Sequence, residues 1–312
     1  ELVSVLLNVG FNVHRLYGHT FDITGKISTN PYLQARWTYD VPRVPTLNAM
    51  ASVRWTDLDI LNFLDNSLSL KFLHSSQEFY VSNLKWSNFD VRTGLRNDIF
   101  DIHDVKWSQI MGDYDLVHLG NDYMSLFAEG RMDTFDDGYF PKRGMTAGLS
   151  YSWAFAGFPY SVDPFHILHM DVKGVLNGSE TFSFIPSFYM RCLLGNDVPV
   201  AYFNAMGGSL PGRYLQQQVP FIGVNHLVAM KNVLSILRLD FRFRILKNHY
   251  LTGMMNYARD ANFFSEYLDG LGHVGVGAEY SYDTIFGPIS ANVNWSSISK
   301  KVGLYLSVGF NF

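Results

Sequence analysis

Along most of this chain, bulky apolar side chains take every second position. In VLSILRLDFRFRIL, residues 233–246, Leu237, Leu239, Phe241, Phe243 and Ile245 alternate with Arg238, Asp240, Arg242 and Arg244. GLYLSVGFNF sends Leu304, Leu306, Val308, Phe310 and Phe312 one way, and Gly303, Tyr305, Ser307, Gly309 and Asn311 the other. ISANVNWSS, HVGVGAEYSYD, GMTAGLSYSWAF, ILHMDVKGV and SVLLNVGFNV repeat the design. Successive strand side chains project to opposite faces, so a period of two marks a strand with two unlike faces.

Such segments start near residues 4, 19, 33, 47, 67, 78, 89, 123, 144, 166, 181, 234, 250, 273, 289 and 303, which predicts sixteen strands. Each has room for the roughly 9–11 residues that cross a bilayer as a tilted strand, plus a connection. A soluble sandwich also alternates, but its polar face meets bulk water and carries mainly Lys and Glu. Here the polar faces hold Ser, Asn, Gly and Tyr with isolated Arg and Asp, which suits a crowded lumen. The predicted fold is all-β, a 16-stranded antiparallel transmembrane barrel over residues 1–312, with its apolar faces toward lipid.

An even count returns both ends to one side. The turns TNPY, NGSE, KNH and IFGP then form a short periplasmic set, with the C-terminus in the periplasm. The opposite set holds the long connections, IFDIHDVKWSQIMGDYDLVHLGND and the stretch from about Leu194 to Lys231. Long loops outside and short turns inside are the arrangement of outer-membrane barrels.

Composition agrees with this picture. Aromatic residues make up 16% of the 312 residues, with 25 Phe, 18 Tyr and 6 Trp, while mean hydropathy is close to zero. Averaging the two faces of a barrel strand gives that value even in a membrane protein. No apolar run approaches the roughly 18–20 residues of a membrane helix. A net charge of −4 with scattered Lys and Arg offers no basic stripe, so nucleic acid is not an expected partner. The single Cys192 excludes an intrachain disulfide and a Cys-based metal site, and is expected to pack in a strand. Glu1 is followed at once by strand-like sequence with no leader, which suggests a mature chain or a fragment.

Other constellations carry little. GLGHVG, Gly270 to Gly275, has dinucleotide-motif spacing but precedes a strand, not a helix. His166 and His169 fall on opposite faces of a strand, which argues against a shared metal. His103 and Asp104, like Asp113, Asp115 and His118, lie in the first long connection, where a solvated role is expected. The chain has no Gly-x-Ser-x-Gly elbow, and Ser209 follows a glycine pair in a loop. No catalytic residue, metal or cofactor is predicted.

The long loop YFNAMGGSLPGRYLQQQVPFIGVNH carries Gly207, Gly208, Gly212, Arg213 and Tyr214. It resembles the sixth-loop motif of the BamA superfamily, the bacterial surface antigen barrels, in which two glycines precede an Arg-Gly-aromatic tip. The order here is Gly-Arg-Tyr. A second segment, DTFDDGYFPKRGM, is similar to a periplasmic turn of the same superfamily through Phe140, Pro141, Lys142, Arg143 and Gly144. Five strands are expected after the loop, as in that family, and Phe312 resembles the terminal aromatic assembly signal of outer-membrane barrels. GRYLQQQVPFIG looks most like barrels at the C-terminus of patatin-like phospholipases of the PlpD type.

The resemblance implies a loop folded back into the lumen, its Arg213 paired with wall acids. Asp240 matches the first family acid, among Arg238, Arg242 and Arg244. The second has no counterpart near Asn256 or Tyr257, and Glu279 is the substitute considered. Implied partners are outer-membrane lipid and lipopolysaccharide, the outer-membrane assembly machinery during biogenesis, and an N-terminal periplasmic or hydrolase domain of the same protein. A homodimer is compatible with it.

The leading expectation is a membrane anchor or translocation conduit in the bacterial outer membrane, the C-terminal part of a longer protein. The alternatives are a general diffusion porin and a BamA-like assembly factor. A porin's constriction loop usually carries acids, and this loop has an Arg and none. An insertase needs a strained seam between first and last strands, and SVLLNVGFNV and GLYLSVGFNF are both well patterned.

Overall fold

The structure, a computed structural model, describes residues 5–12, 18–63, 66–107, 121–196, 198–208, 215–268 and 272–309. Its regular structure is strand, apart from short 3-10 turns. The chain divides into two compact units, one of residues 1–131, 150–168 and 193–203, the other of residues 132–149, 169–192 and 204–312.

The first unit is a meander. β1 (Val5–Asn12), β2 (His19–Ile27), β3 (Tyr32–Tyr39), β4 (Thr46–Phe63), β5 (Asn66–Trp86), β6 (Phe89–Trp107) and most of β7 (Asp122–Asp133) pair consecutively and antiparallel. β8 (Met145–Phe158) and β9 (Phe165–Gly174) contribute residues to both units.

In the second unit a short β10 (Leu176–Asn177) and β11 (Phe182–Leu194) lead into a long insertion carrying β12 (Asn204–Met206), β13 (Gln218–Val219) and β14 (Leu227–Met230). After it come β15 (Val233–Leu246), β16 (His249–Ala261), β17 (His273–Tyr282), β18 (Ile289–Ser296) and β19 (Val302–Val308). β11 pairs directly with β15, from Phe182 opposite Phe243 to Cys192 opposite Val233, so residues 195–232 are an excursion between neighbouring strands. The five strands after the loop are present, and Cys192 packs buried in β11.

The expected strands near 67 and 78 are one 21-residue strand, β5. Among the described residues fifteen strands have seven residues or more, ten before the excursion and five after it. Joining those two strands also shifts the alternation of chain ends by one for everything before them. Within the first unit's meander the TNPY turn therefore falls at the same strand ends as the long connection after β6, and not with the short set in which it is expected. Nothing in the alternation could reveal the error, because β5 keeps one phase from Leu68 through Tyr80, across the place where the two strands are expected to part.

The faces are inverted relative to a soluble protein. Leu237, Phe241, Phe243 and Ile245 are 38–56% exposed, whereas Arg242 between them is 6% exposed. In the first unit Val53, Phe79, Leu95 and Met124 face out, while Ser52, Glu78, Asp98 and Ser125 are buried. Water does not tolerate so continuous an apolar exterior, since soluble monomers rarely expose contiguous patches beyond a few hundred Å². Three outward clusters join a histidine to amphipathic rings: His19 with Trp37 and Tyr39, His166 with Tyr151 and Trp153, and His249 with Tyr280 and Tyr282. Such rings suit the membrane–water boundary, where one end is wet and the other apolar.

β4, β5 and β6 have 18, 21 and 19 residues, well beyond a bilayer crossing of roughly 9–11. In their excess length the polarity reverses, and β5 makes the change without a change of phase. Leu58, Ile60, Leu68, Leu70, Phe72 and Phe100 are buried, while Asp57 faces outward and pairs with Lys71 on the opposite strand at 2.8 Å. The bulky sides therefore do not all face lipid, as the pattern predicts. The strands leave the apolar phase near Trp55 and Leu73, and beyond that their large side chains pack a water-type core.

Candidate functional site: a clamped excursion on a buried face

The turn between β7 and β8 is built by its aspartates. Asp136 Oδ1 accepts the backbone N–H groups of Lys142 and Arg143 at 2.8 and 3.1 Å, and Asp137 Oδ1 accepts those of Tyr139 and Phe140 at 2.8 Å each. Those donors hold the Asp136 carboxyl below its usual range, the Lys142 bond contributing most. Gly144 closes the turn at φ +100°, with the Thr134 carbonyl where a side chain would begin.

This fold-back delivers the predicted Phe-Pro-Lys-Arg-Gly motif to the buried face of the same unit. Phe140 stacks on Tyr250, ring centroids 4.2 Å apart and 8° from parallel. Arg242 donates from Nη2 to the Pro141 carbonyl and lies over both rings, 5.8 Å from each centroid. Arg242 thus secures a turn and does not hold Asp240.

Asp240 is held by its own strand neighbour. Arg238 Nε donates to both carboxylate oxygens, at 2.8 and 3.0 Å, and Nη2 lies 3.3 Å from the Met254 sulfur. Glu279 accepts from Ser281 Oγ at 3.0 Å and Asn292 Nδ2 at 3.4 Å. Arg244 is half-buried and joins neither arrangement. Of the two aligned positions on β16, Tyr257 faces outward and Asn256 is fully buried. Among the described residues the Asn256 amide finds no hydrogen-bond partner. Gly212, Arg213, Tyr214, Ser209, Asp113, Asp115, His118 and Phe312 lie outside the described residues, so the proposed pairing of Arg213 concerns atoms not described.

The excursion is tied at both ends by Asn204. Its Oδ1 accepts from Arg191 Nη1 at 2.7 Å, and its Nδ2 donates to the Lys231 and Asn232 carbonyls at 2.8 and 3.0 Å. Gly207 and Gly208 have φ of +127° and +73°. Their N–H groups reach the Val219 and Val224 carbonyls at 2.8 and 2.7 Å, while Gln218 Nε2 donates to the Gly207 carbonyl at 2.8 Å. Met206, Phe221, Val224, Val228 and Met230 then pack with Leu234, Ile236 and Ala258.

The descending limb docks backbone to backbone on β17 and β18. Gly223, at φ +79°, lies against the Trp295–Ser296 peptide and accepts from Ser296 Oγ at 2.9 Å. The Ile222 carbonyl occupies the place where a Gly275 side chain would start. A cavity of about 210 Å³ remains, with Arg238, Glu279, Asn292, Gly208, Tyr139 and Phe140 on its walls.

A second charged arrangement, in the first unit, has no counterpart in the sequence motifs. Arg92 bonds Glu129 through Nε at 2.8 Å and Nη2 at 2.6 Å, and Arg96 joins Glu78 through Nε at 2.6 Å and Glu129 through Nη2 at 3.1 Å. Both guanidiniums also lie over Phe127. The signal in the sequence is weak, since these charges come from three strands and meet only through the register Glu78 opposite Arg96 and Arg92 opposite Glu129. No group of three or more His, Cys, Asp or Glu side chains among the described residues could hold a metal. The segment with dinucleotide-like spacing leads into β17, a strand.

An apolar exterior, a buried face with ion pairs, and an excursion folded onto that face describe an outer-membrane β-barrel protein and not a soluble enzyme. Residues 46–312 match the family model of the OMP85 superfamily, and the chain belongs to that superfamily. Its place is therefore the bacterial outer membrane. Among solved structures it is similar to BamA from Haemophilus ducreyi lacking POTRA domains 1–3, at TM-score 0.65 and 13% identity over 97% of this chain and 65% of that one. It is also similar to CdiB from Acinetobacter baumannii, at TM-score 0.53 and 8% identity over 98% of this chain and 57% of that one. No curated protein matches. Likeness at these identities concerns the fold alone.

Proposed function

We propose that the chain is the membrane-embedded barrel of a larger outer-membrane protein, its C-terminus in the periplasm. It anchors, and forms the conduit for, periplasmic or patatin-like phospholipase domains joined ahead of it. Two observations support a longer parent: the chain spans only 65% and 57% of the two structures it resembles, and the GRYLQQQVPFIG segment resembles the PlpD-type barrels. Outer-membrane lipid and lipopolysaccharide surround it, and the outer-membrane assembly machinery inserts it.

The observation that carries the conduit reading is the docked descending limb. A loop whose backbone rests on β17 and β18, through its own Gly223 and through Gly275 of β17, is a built plug, because a side chain at either glycine would push it off. A diffusion porin keeps its lumen open instead.

Conductance in planar bilayers separates the two. The intact chain should give small, flickering currents, and a variant lacking residues 207–225 should give large, steady ones. A large steady current from the intact chain would overturn the reading in favour of a porin.

A further inference from the structure

The excursion has a second fastening, within the first unit. Its opening residues include a 3-10 turn, Val200–Tyr202, in which the Tyr202 N–H bonds the Pro199 carbonyl at 2.9 Å and the Phe203 N–H bonds that of Val200 at 3.1 Å. The turn aims the Tyr202 ring among three buried aromatics. Phe100, Tyr123 and Phe165 lie with centroids 5.7, 5.4 and 5.2 Å from it, the first two edge-on at 77° and 78°. That edge-to-face geometry is the favourable one for the ring quadrupoles.

The slot has a polar floor. Tyr202 donates its hydroxyl to Asp98 Oδ2 at 3.1 Å, and Asp98 is itself 5% exposed. Its other oxygen lies 3.0 Å from His74 Nε2, and the His74 ring stacks on Phe100 at 4.4 Å and 1°. Burial, and then the neighbouring carboxylate, push the Tyr202 phenol well above 10, so it stays a donor at any physiological pH.

We propose that Phe100, Tyr123, Phe165 and Asp98 form a binding slot for a phenol ring, filled in cis by Tyr202, and that this contact latches the start of the excursion. Two edge-on rings, a third that is tilted, and a single acceptor at hydroxyl distance select a phenol over a plain benzene ring. The slot sits where β5 and β6 carry their water-type core, so the latch does not rely on lipid.

The test uses the whole chain folded in detergent, with heat-modifiable gel migration as the check that each variant is folded. Amide hydrogen exchange is followed at Tyr202 and Phe203. Tyr202→Phe removes a single hydroxyl and should speed exchange roughly tenfold, the worth of one hydrogen bond to a charged acceptor. Tyr202→Ala should speed it further, and 4-methylphenol should restore protection where toluene at equal concentration restores less. Exchange that is unchanged in the Phe variant, or rescue by toluene equal to that by 4-methylphenol, would sink the proposal. Neither result depends on conductance, so the latch and the conduit reading can fail separately.

Discussion

At Gly223 the docking of the limb depends on one missing methyl group. The residue combines φ +79° with a Trp295–Ser296 peptide against the place of its Cβ, so alanine there is strained in backbone and blocked in space at once. Gly223→Ala should cost about 1 kcal/mol or more and lower the midpoint of thermal unfolding in detergent. Equal midpoints for variant and parent would show that the limb is not docked there. Arg96 makes the opposite case, of a side chain that must be present. It ion-pairs with Glu78, whose side chain is 5% exposed, and with Glu129. Truncating one partner of a buried pair leaves a desolvated charge and costs about 3–5 kcal/mol. Arg96→Ala should therefore move the urea midpoint strongly, and the double variant Arg96→Ala with Glu78→Gln should recover part of the loss. The four lumen candidates on β15 were legible as alternation, but their partners were not. Arg238 takes Asp240 and Arg242 takes the Pro141 carbonyl, because one is two residues away on the same face and the other meets a turn distant in sequence.

Strands decide where lipid ends. β5 keeps even-numbered residues on the buried face from Leu68 through Tyr80, yet that face changes from Leu, Leu and Phe to Ser, Glu and Tyr. A charge on the outward face should thus be costly at one end of the strand and tolerated at the other. Phe79→Arg is expected to destabilise by about 2–4 kcal/mol if it lies near the bilayer midplane, and Ser69→Arg by at most about 1 kcal/mol, as read by denaturant titration of vesicle-inserted protein. Equal penalties would contradict the boundary near Trp55 and Leu73. The turn between β7 and β8 carries the pH response. Asp136 has a lowered pKa, so its contribution is complete above the unfolded-state value of about 3.9 and fades as pH falls through the lower folded value. Exchange of the Lys142 and Arg143 amides, corrected for intrinsic rates, should accelerate on acidification from pH 5 toward 2. In Asp136→Asn it should show no such titration.

For the molecule as a whole, the exterior sets the solvent. Large apolar side chains are exposed on every long strand whose outward side chains are described, from Phe21 and Leu33 to Leu304 and Leu306. Burying apolar area is worth about 25 cal/mol per Å², so in water these faces drive association. The purified chain should be monodisperse in detergent or nanodiscs and precipitate when the amphiphile is withdrawn. A detergent-free, monodisperse monomer in size-exclusion chromatography would remove the basis for the membrane assignment.

What the amino-acid order determined alone was local: a two-residue period fixes which side chains share a face, glycine marks where a second backbone comes close, and the turn and loop motifs carry the superfamily resemblance. These survive reading one strand at a time. Length was not local, because β5 runs 21 residues and holds one phase from Leu68 through Tyr80, with no turn signal between its two halves. Partners were not local either. The Glu78–Arg96–Glu129–Arg92 network, the Asp98 slot for Tyr202 and the seat of Gly223 on β18 arise from register and from a chain that returns after tens of residues. Alternation says that a side chain points away from lipid, and only the pairing of strands decides which groups it meets there.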